Sequence, residues 1–297
     1  MGKRRYKLLF KTAAAVDAMA PKYALMRLIA PVPDLMKAER VVFIGPHPDD
    51  IEVGCGATLH KMVKAGKAVK MVVCTDGGSG RLDAVMTSEE ITATRKAESE
   101  AAAKLLGAAE FVNLGFPDGG PYDEDKLAAA IAWEIYTFAP DLVICPDPTL
   151  PSETHPDHLK CARAAVTAVT ISGNFYSGQR HGLTFEPEKI KFSKTLAYYY
   201  THRANSFVKL AEEDLDGRAA ALALHKSQFE GLMLDGLLVY LGLRAKDMGS
   251  RAGTKYAEGF FAMAPMHQHA STEINHAEFY KIKAQQAFEE GQNEPIK

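Results

Sequence analysis

A continuous apolar run, VVFIG at residues 41–45, passes directly into PHPDD and then into a glycine-containing segment of helical period. Three more apolar runs follow, separated by helical patterns, at residues 68–75, 110–114 and 141–146. Runs without polar alternation are typical of strands that are buried on both faces of a parallel sheet. Strands that alternate with helices in this way indicate βαβ units with right-handed crossovers.

The helical segments complete this pattern. They cover residues 53–66, 88–107, 124–139 and 157–172. Beyond them the sequence predicts a loop, a strand at 195–202 and a helix at about 212–230. We therefore predict an α/β fold, a Rossmann-like three-layer sandwich with a mainly parallel sheet. An N-terminal helical arm (1–40) precedes one domain (41–297) that carries C-terminal decorations.

The N-terminal arm is basic, with nine Lys or Arg residues against three acids in residues 1–40. Lys11 and Asp17 interrupt the apolar region that a signal peptide would need. No run approaches the roughly 20 apolar residues of a membrane-spanning helix, so we predict no transmembrane segment. An amphipathic helix that packs on the body, on another subunit or on an anionic membrane surface is the preferred interpretation.

The overall charge and the cysteine content restrict the class of protein. A formal net charge of −2 gives no reason to expect binding to nucleic acid, which depends on neutralising phosphates. Four scattered cysteines without a CxxC pair predict neither a disulfide framework nor a structural zinc site. This usage of cysteine is typical of a reducing compartment, and we predict a cytoplasmic protein.

Each of the first four predicted strands ends in a polar or glycine-rich cluster. These clusters are PHPDD, DGGSG, FPDGG and PDPTLPSETHPDH. In open α/β sheets, ligands bind beyond the carboxyl ends of the strands, where the strand order reverses. In the common doubly wound order the first and fourth strands are neighbours at that point. Two clusters should therefore face each other across one crevice, and their members are His47, Asp49, Asp50, His155, Asp157 and His158.

Imidazole and carboxylate groups without thiolates favour zinc or another divalent metal ion. A catalytic zinc site has three protein ligands and an open position for water. The predicted ligands are His47, Asp50 and His158. Asp49 then lies beside the metal as a general base, and His155 can stabilise an oxyanion or protonate a leaving amine. Asp157 can orient one of the histidines. The pattern predicts metal-assisted hydrolysis of an amide or ester.

Simpler interpretations exist for the same residues. The paired aspartates could cap the helix that follows them, and the two later histidines could cap the next. Taken together, these interpretations require two HPD triplets at matched strand ends by coincidence. Two histidines and one carboxylate are also the ligand set of non-haem Fe(II) oxygenases. A different hydrolase on the same scaffold and a non-catalytic carbohydrate-binding protein are further alternatives. The glycine-rich DGGSG lacks the spacing of a dinucleotide-binding loop.

In combination, PHPDD with the following GCGATL, then TDGGSG, TRKAESEAAAKLLG, FPDGG and HPDH resemble the PIG-L/LmbE-like zinc-dependent N-deacetylases over residues 41–172. The segments CPDPTLPSETHPDH, AYYYTHRAN, ALALHKSQF and KYAEGF are most similar to the diacetylchitobiose deacetylase branch, and they extend the resemblance to about residue 260. The resemblance implies Zn²⁺-dependent removal of an acetyl group from an N-acetylglucosamine-type sugar such as diacetylchitobiose. It assigns the metal ligands, the general base Asp49 and the assisting His155 as above.

The resemblance also implies three contacts with the substrate. Arg95 of TRKAE and Asp118 of FPDG correspond to positions that grip sugar hydroxyls, and His269 corresponds to a histidine that reaches the site of a neighbouring subunit. Arg95 could instead be a surface arginine paired with a nearby glutamate, and Asp118 could simply begin a tight turn. Because His267 is only two residues from His269, the register of that match is ambiguous.

Two stretches are unusual for this family. The residues SET stand before HPDH, where some members place a tyrosine or arginine near the site. The segment at 231–243, GLMLDGLLVYLGL, is more apolar than a surface element normally is. It could form an apolar wall for the substrate, but large apolar patches usually mark contacts between proteins. We therefore expect this segment to lie at a subunit interface. We also predict a homo-oligomer, a trimer or hexamer.

Overall fold

A computed structural model describes Leu28 and residues 30–80, 85–192 and 194–269. The chain divides into two compact units. One consists of residues 1–33 together with 263–297, and the other covers 34–262. The second unit contains all the candidate site residues except the C-terminal histidines. Residues 1–27 of the predicted helical arm lie outside the described residues.

One mixed sheet forms the centre of the second unit. Its strands are β1 (Arg40–Gly45), β2 (Ala68–Thr75), β3 (Glu110–Phe116), β4 (Leu142–Pro146), β5 (Thr195–Tyr199), β6 (Ser206–Leu210) and β7 (Tyr256–Met263). Their order across the sheet is β3-β2-β1-β4-β5-β7-β6. β1 pairs in parallel with β2 and β4, whereas β6 and β7 pair antiparallel. The predicted α/β fold with a mainly parallel sheet is confirmed.

Helices flank the sheet and connect its strands. They are α1 (Asp50–Lys64), α2 (Ser88–Leu106), α3 (Glu124–Phe138), α4 (Pro156–Ser172), α5 (Phe175–Arg180), α6 (Glu212–Leu222) and α7 (Leu232–Ala252). α2 begins with a reciprocal cap between Thr87 and Glu90 and ends at Gly107, whose φ of 79° is favourable for glycine. No helix in the described ranges is long and apolar enough to cross a membrane.

The C-terminal part differs from the sequence prediction. The predicted helix at 212–230 ends at Leu222, and a turn follows that carries His225 into the core. The chain leaves the helix before His225, whose ring is completely buried with Nε2 3.3 Å from Oε1 of Glu52 in α1. The apolar segment at 231–243 forms the first half of α7.

The strand order places the candidate site at the carboxyl ends of β1 and β4. β4 lies directly beside β1, with Val41 opposite Leu142 and Phe43 opposite Ile144. The predicted adjacency of the first and fourth strands is confirmed. Because both strands run in the same direction, the loops that follow them emerge at the same end of the sheet. These loops carry the two HPD triplets.

Candidate active site

The loop after β1 makes a strained turn into α1. Asp49 has a φ of 114°, a left-handed conformation that residues other than glycine rarely adopt and that costs on the order of 1–3 kcal/mol. Oδ2 of Asp50 accepts a hydrogen bond from the backbone N–H of His47 at 3.0 Å, which closes the turn. Strain of this kind persists where surrounding contacts maintain it, and it is concentrated at functional sites.

Asp50 lies between one histidine from the loop after β1 and one from the start of α4. Its Oδ2 is 3.1 Å from Nδ1 of His47 and 3.3 Å from Nε2 of His158, which is in the first turn of α4. Four ligands at about 2.0–2.1 Å from a tetrahedral zinc ion lie about 3.3 Å from one another. Each of the two distances from Asp50 is therefore of the size that separates two ligands of one metal ion.

Glu153 contacts His158 on the side of the ring away from Asp50. Nδ1 of the histidine is 2.8 Å from Oε2 of Glu153. Because an ionised carboxylate can only accept, Nδ1 carries the proton and the lone pair of the neutral ring is on Nε2. That lone pair faces a carboxylate oxygen of Asp50, an arrangement that needs a proton or a metal cation. Burial lowers the pKa of His158, but Asp50 and Glu153 outweigh burial and raise it.

Two further carboxylates hold the other side of His47. Its Nε2 is 3.1 Å from Oδ1 of Asp118 and 3.3 Å from Oδ2 of Asp157. Asp157 is completely buried and also accepts a hydrogen bond from the hydroxyl of Tyr122 at 2.8 Å. Burial lowers the pKa of His47, but Asp118, Asp157 and Asp50 together raise it to about 12. Asp157 thus contacts the ring of His47, and its role in orienting that ring stays a prediction.

His155 is the N-cap of α4. Its Nδ1 accepts a hydrogen bond from the backbone N–H of Asp157 at 3.2 Å, so a neutral ring carries its proton on Nε2. Burial and the neighbouring His47 and His158 lower its pKa, which favours this neutral form. The side chain is 47% exposed, and its ring centroid is 4.7 Å from that of His47. His155 can therefore offer an Nε2–H donor beside the cluster.

Asp49 contacts a different partner from Asp50. Its Oδ2 is 3.2 Å from Nη2 of Arg95, and its side chain is 12% exposed. Burial raises the pKa of Asp49 to about 7, with Asp50 acting in the same direction and Arg95 in the opposite one. A carboxylate whose pKa is close to neutral is well matched to a general base.

Arg95 lies in the interior and is only 3% exposed. Nη2 donates to the carbonyl oxygen of Pro48 at 2.8 Å, and Nη1 donates to that of Gly77 at 3.1 Å. The guanidinium thus joins the loop after β1 to the loop after β2. The alternative of a surface arginine paired with a glutamate is wrong, because burial excludes it. Contact with a sugar hydroxyl stays a prediction.

Asp118 lies in the tight turn that one of the two interpretations predicted, and it also contacts the histidine cluster. It lies in the Pro-Asp-Gly-Gly turn, where its Oδ2 accepts the backbone N–H of Ser79 at 3.1 Å and its own N–H donates to Asp76 at 3.0 Å. Its other carboxylate oxygen contacts His47. The turn therefore brings a carboxylate into the cluster. Contact with substrate stays a prediction here too.

The C-terminal histidines belong to the other compact unit. His267 is buried, with Nε2 3.0 Å from the carbonyl oxygen of Ala30 and Nδ1 accepting the N–H of Ala264 at 3.1 Å. His269 is exposed. Of the two, His269 is therefore the histidine with an exposed ring. Its contact with a neighbouring subunit stays a prediction.

Sequence reasoning missed several side chains of this region. Glu153, Tyr122 and Glu52 carried no recognisable signal, because each acts through a contact with a residue far away or across a loop. Tyr200 was also missed; it takes a φ of 51°, and its hydroxyl donates to the carbonyl oxygen of Asp50 at 3.3 Å. His225 is completely buried beside Glu52 and lies outside the cluster.

The charges around the cluster also suit a cation. Two overlapping groups bring their ligand atoms within 4.8 Å of one another: His47, His155 and His158, and His47, Asp118, His155 and Asp157. Carboxylates predominate in this region, whereas Arg95 supplies one fixed positive charge to two of them. Oxygen and imidazole donors without thiolates fit zinc or a similar divalent ion. The residues present therefore fit a metal centre.

Comparison with known proteins gives the same family as the sequence motifs. Residues 42–169 match the family model for PIG-L, described as GlcNAc-PI de-N-acetylase. The chain is 33% identical over 225 residues to diacetylchitobiose deacetylase of Thermococcus kodakarensis, covering 74% of this chain and 82% of that protein. It is 28% identical over 181 residues to mycothiol S-conjugate amidase of Streptomyces coelicolor, covering 52% and 60%.

A solved structure shares the fold over almost its whole length. This is N,N'-diacetylchitobiose deacetylase from Pyrococcus horikoshii, with a TM-score of 0.77 and 28% identity. The match covers 86% of this chain and 97% of that one. The family model, the sequence identity to a relative and the shared fold agree with one another. The chain is therefore a member of the PIG-L family.

Proposed function

We propose that this chain is a zinc-dependent carbohydrate N-deacetylase that removes the acetyl group from an N-acetylglucosamine-type sugar, such as diacetylchitobiose. One observation carries the proposal. Asp50 joins His47 and His158 at distances suited to one metal ion, while the adjacent Asp49 has a separate partner and a pKa near neutral. The names of the related deacetylase and amidase support an amide bond on a sugar derivative as the substrate.

The proposed ligands are His47, Asp50 and His158. A zinc ion bound there would polarise the acetyl carbonyl and make an attacking water more acidic. Asp118 and Asp157 hold Nε2 of His47, which leaves Nδ1 for the metal. The remaining position of the site would be open to water and substrate.

The side chains around the metal site would move the protons. The water oxygen bonds to the acetyl carbon, and the carboxylate of Asp49 accepts a proton from that water. Nε2–H of His155 donates a hydrogen bond to the former carbonyl oxygen. When the C–N bond breaks, the proton held by Asp49 passes to the sugar nitrogen, and the free amine and acetic acid, which ionises to acetate, leave. Acid–base assistance of this kind contributes about 10²–10⁴-fold to the rate.

The direct test measures acetate release from N,N'-diacetylchitobiose and from N-acetylglucosamine. Zinc-loaded protein, chelated protein and zinc-loaded His158→Ala protein are compared side by side. We expect release only from the zinc-loaded wild type, because His158→Ala removes a ligand. Equal release with and without chelator would contradict the metal-dependent mechanism. Absence of release by a protein that binds zinc stoichiometrically would favour another amide substrate or a binding role.

Two rival functions have distinct signatures. A non-haem Fe(II) oxygenase would use the same two histidines and one carboxylate, but it has no need of the adjacent Asp49. Its activity would require oxygen or a 2-oxo acid, whereas hydrolysis requires neither. A non-catalytic carbohydrate-binding protein would bind the sugar and release no acetate. The separate carboxylate of Asp49, held by Arg95, favours hydrolysis over both.

The assembly and the location of the protein are also proposed. α7 exposes several large apolar side chains, namely Leu232, Met233, Val239, Tyr240 and Leu243. This face supports association of the chain with further copies. We propose a trimer or hexamer, which light scattering on the purified protein would test. All four cysteines are free and buried, which supports a cytoplasmic location. Cell fractionation would test that location.

A further inference from the structure

The loop before α4 contains a carboxylate with both oxygens engaged. Oε1 of Glu153 accepts the backbone N–H groups of Thr154 and His155, each at 2.8 Å. Oε2 contacts Nδ1 of His158 at 2.8 Å. The Glu153 side chain is 19% exposed. One side chain therefore links the backbone ahead of the helix to an imidazole in the first turn of that helix.

These contacts determine which nitrogen of His158 is available. Since the carboxylate accepts, the proton is on Nδ1, and Nε2 is the nitrogen that can bind a metal ion. Nε2 is also the atom that faces Oδ2 of Asp50, at 3.3 Å. A negative charge on the far side of the ring makes Nε2 a better electron donor. Glu153 stands in the SET segment that departs from the family pattern, so the family motif does not account for it.

We propose that Glu153 is a positioning residue of the metal site, which holds His158 in the tautomer and orientation that bind the ion. The inference rests on the proposed function, because it requires a metal ion at His47, Asp50 and His158. Partners that orient a ligating histidine typically change metal affinity by 10–100-fold. The competing interpretation is that Glu153 only shapes the loop through its backbone contacts.

Zinc affinity separates the two interpretations without any assay of turnover. Glu153→Gln keeps the length of the side chain and removes the charge, and Glu153→Ala removes the contact entirely. The matched control is Glu124→Gln, since Glu124 of α3 contacts Arg163 of α4 at the protein surface, with Nη2 to Oε2 at 2.7 Å. Competition for Zn²⁺ with a chromogenic chelator gives each affinity, and melting of the metal-free proteins reports folding.

We expect both Glu153 variants to bind Zn²⁺ about 10–100-fold more weakly than wild type, with the control unchanged. Glu153→Gln tests the inference even where Glu153→Ala folds poorly. Wild-type affinity in a folded Glu153→Gln protein, with or without a lower melting temperature, overturns the positioning role. If the wild type itself binds no Zn²⁺, the proposed metal site is wrong. If the wild type binds Zn²⁺ and releases acetate, and the Glu153 variants bind Zn²⁺ with the same affinity, the positioning role of Glu153 is wrong. The proposed function is then unaffected.

Discussion

Nη2 of Arg95 lies 3.2 Å from Oδ2 of Asp49 and 2.8 Å from the carbonyl oxygen of Pro48, the preceding residue. One buried guanidinium therefore holds the proposed general base by its side chain and by its neighbouring backbone. Asp49 needs such support because its φ of 114° is strained. The contact also supplies a positive charge, which keeps the pKa of this buried carboxyl from rising further.

Arg95→Lys tests whether the contacts of the Arg95 guanidinium stabilise this turn. Lysine keeps the charge, but one ammonium cannot reproduce the planar fork that reaches Pro48, Gly77 and Asp49. We expect the free energy of unfolding to fall by about 1–3 kcal/mol, as for lost buried hydrogen bonds, and acetate release to fall with it. Urea denaturation provides the measurement, with Arg163→Lys at an exposed ion pair as the control. A raised KM with unchanged stability would instead indicate that Arg95 serves only as a sugar contact.

Asp49→Asn tests the general base. Asparagine tolerates a left-handed backbone and has the same shape, so the turn should survive the change. We expect kcat to fall by about 10²–10⁴-fold, because the amide cannot accept the proton from water. Zinc content, measured on the same preparation by atomic emission, should stay at the wild-type level because Asp49 is not a proposed ligand. Full turnover, or loss of the metal, would contradict this assignment.

Asp147 should make stability depend on pH in the acid range. Its buried carboxylate accepts hydrogen bonds from the hydroxyls of Thr149 and Thr201, both at 2.7 Å. Burial alone would raise the pKa of Asp147, but these contacts hold it below its ordinary value of 3.8. A lowered folded pKa means that the stabilisation is complete above the unfolded pKa and is lost as the pH falls through the folded pKa.

Asp147→Asn should therefore cost about 1.5–3 kcal/mol of unfolding free energy at pH 7. The difference from wild type should shrink as the pH falls below 3.8, because the wild-type carboxyl then becomes protonated. Urea denaturation across this range measures the difference. Asp247→Asn, an exposed position on α7, is the control. A difference that stays constant with pH would show that ionisation of Asp147 does not contribute to the free energy of unfolding.

Glu52 and His225 form a buried pair behind the site, and their coupling can be measured. The two side chains are 1% and 0% exposed, with Nε2 and Oε1 3.3 Å apart. His225→Leu should cost about 3–5 kcal/mol, because it leaves the Glu52 carboxylate buried without this partner. The double variant with Glu52→Leu should cost less than the sum of the two single changes. Additive losses in urea denaturation would mean that the two side chains are not coupled.

The sequence by itself determined the fold class and the place of the site. Continuous apolar runs such as 41–45 and 141–146 predict strands covered on both faces, and the segments between them predict the connecting helices. Both signals are local, since they depend on the spacing of apolar residues along a short stretch. Parallel pairing of those strands then brings His47 and His158 to one end of the sheet.

Only the tertiary structure decided which atoms meet there. No periodicity in the sequence indicates that Arg95 turns inward to Asp49, that Glu153 reaches His158, or that the helix predicted at 212–230 ends so that His225 can enter the core. These contacts join residues on separate elements or across a loop. They depend on loop conformation and on the cost of leaving a buried charge unpaired, which is determined by the packed protein as a whole.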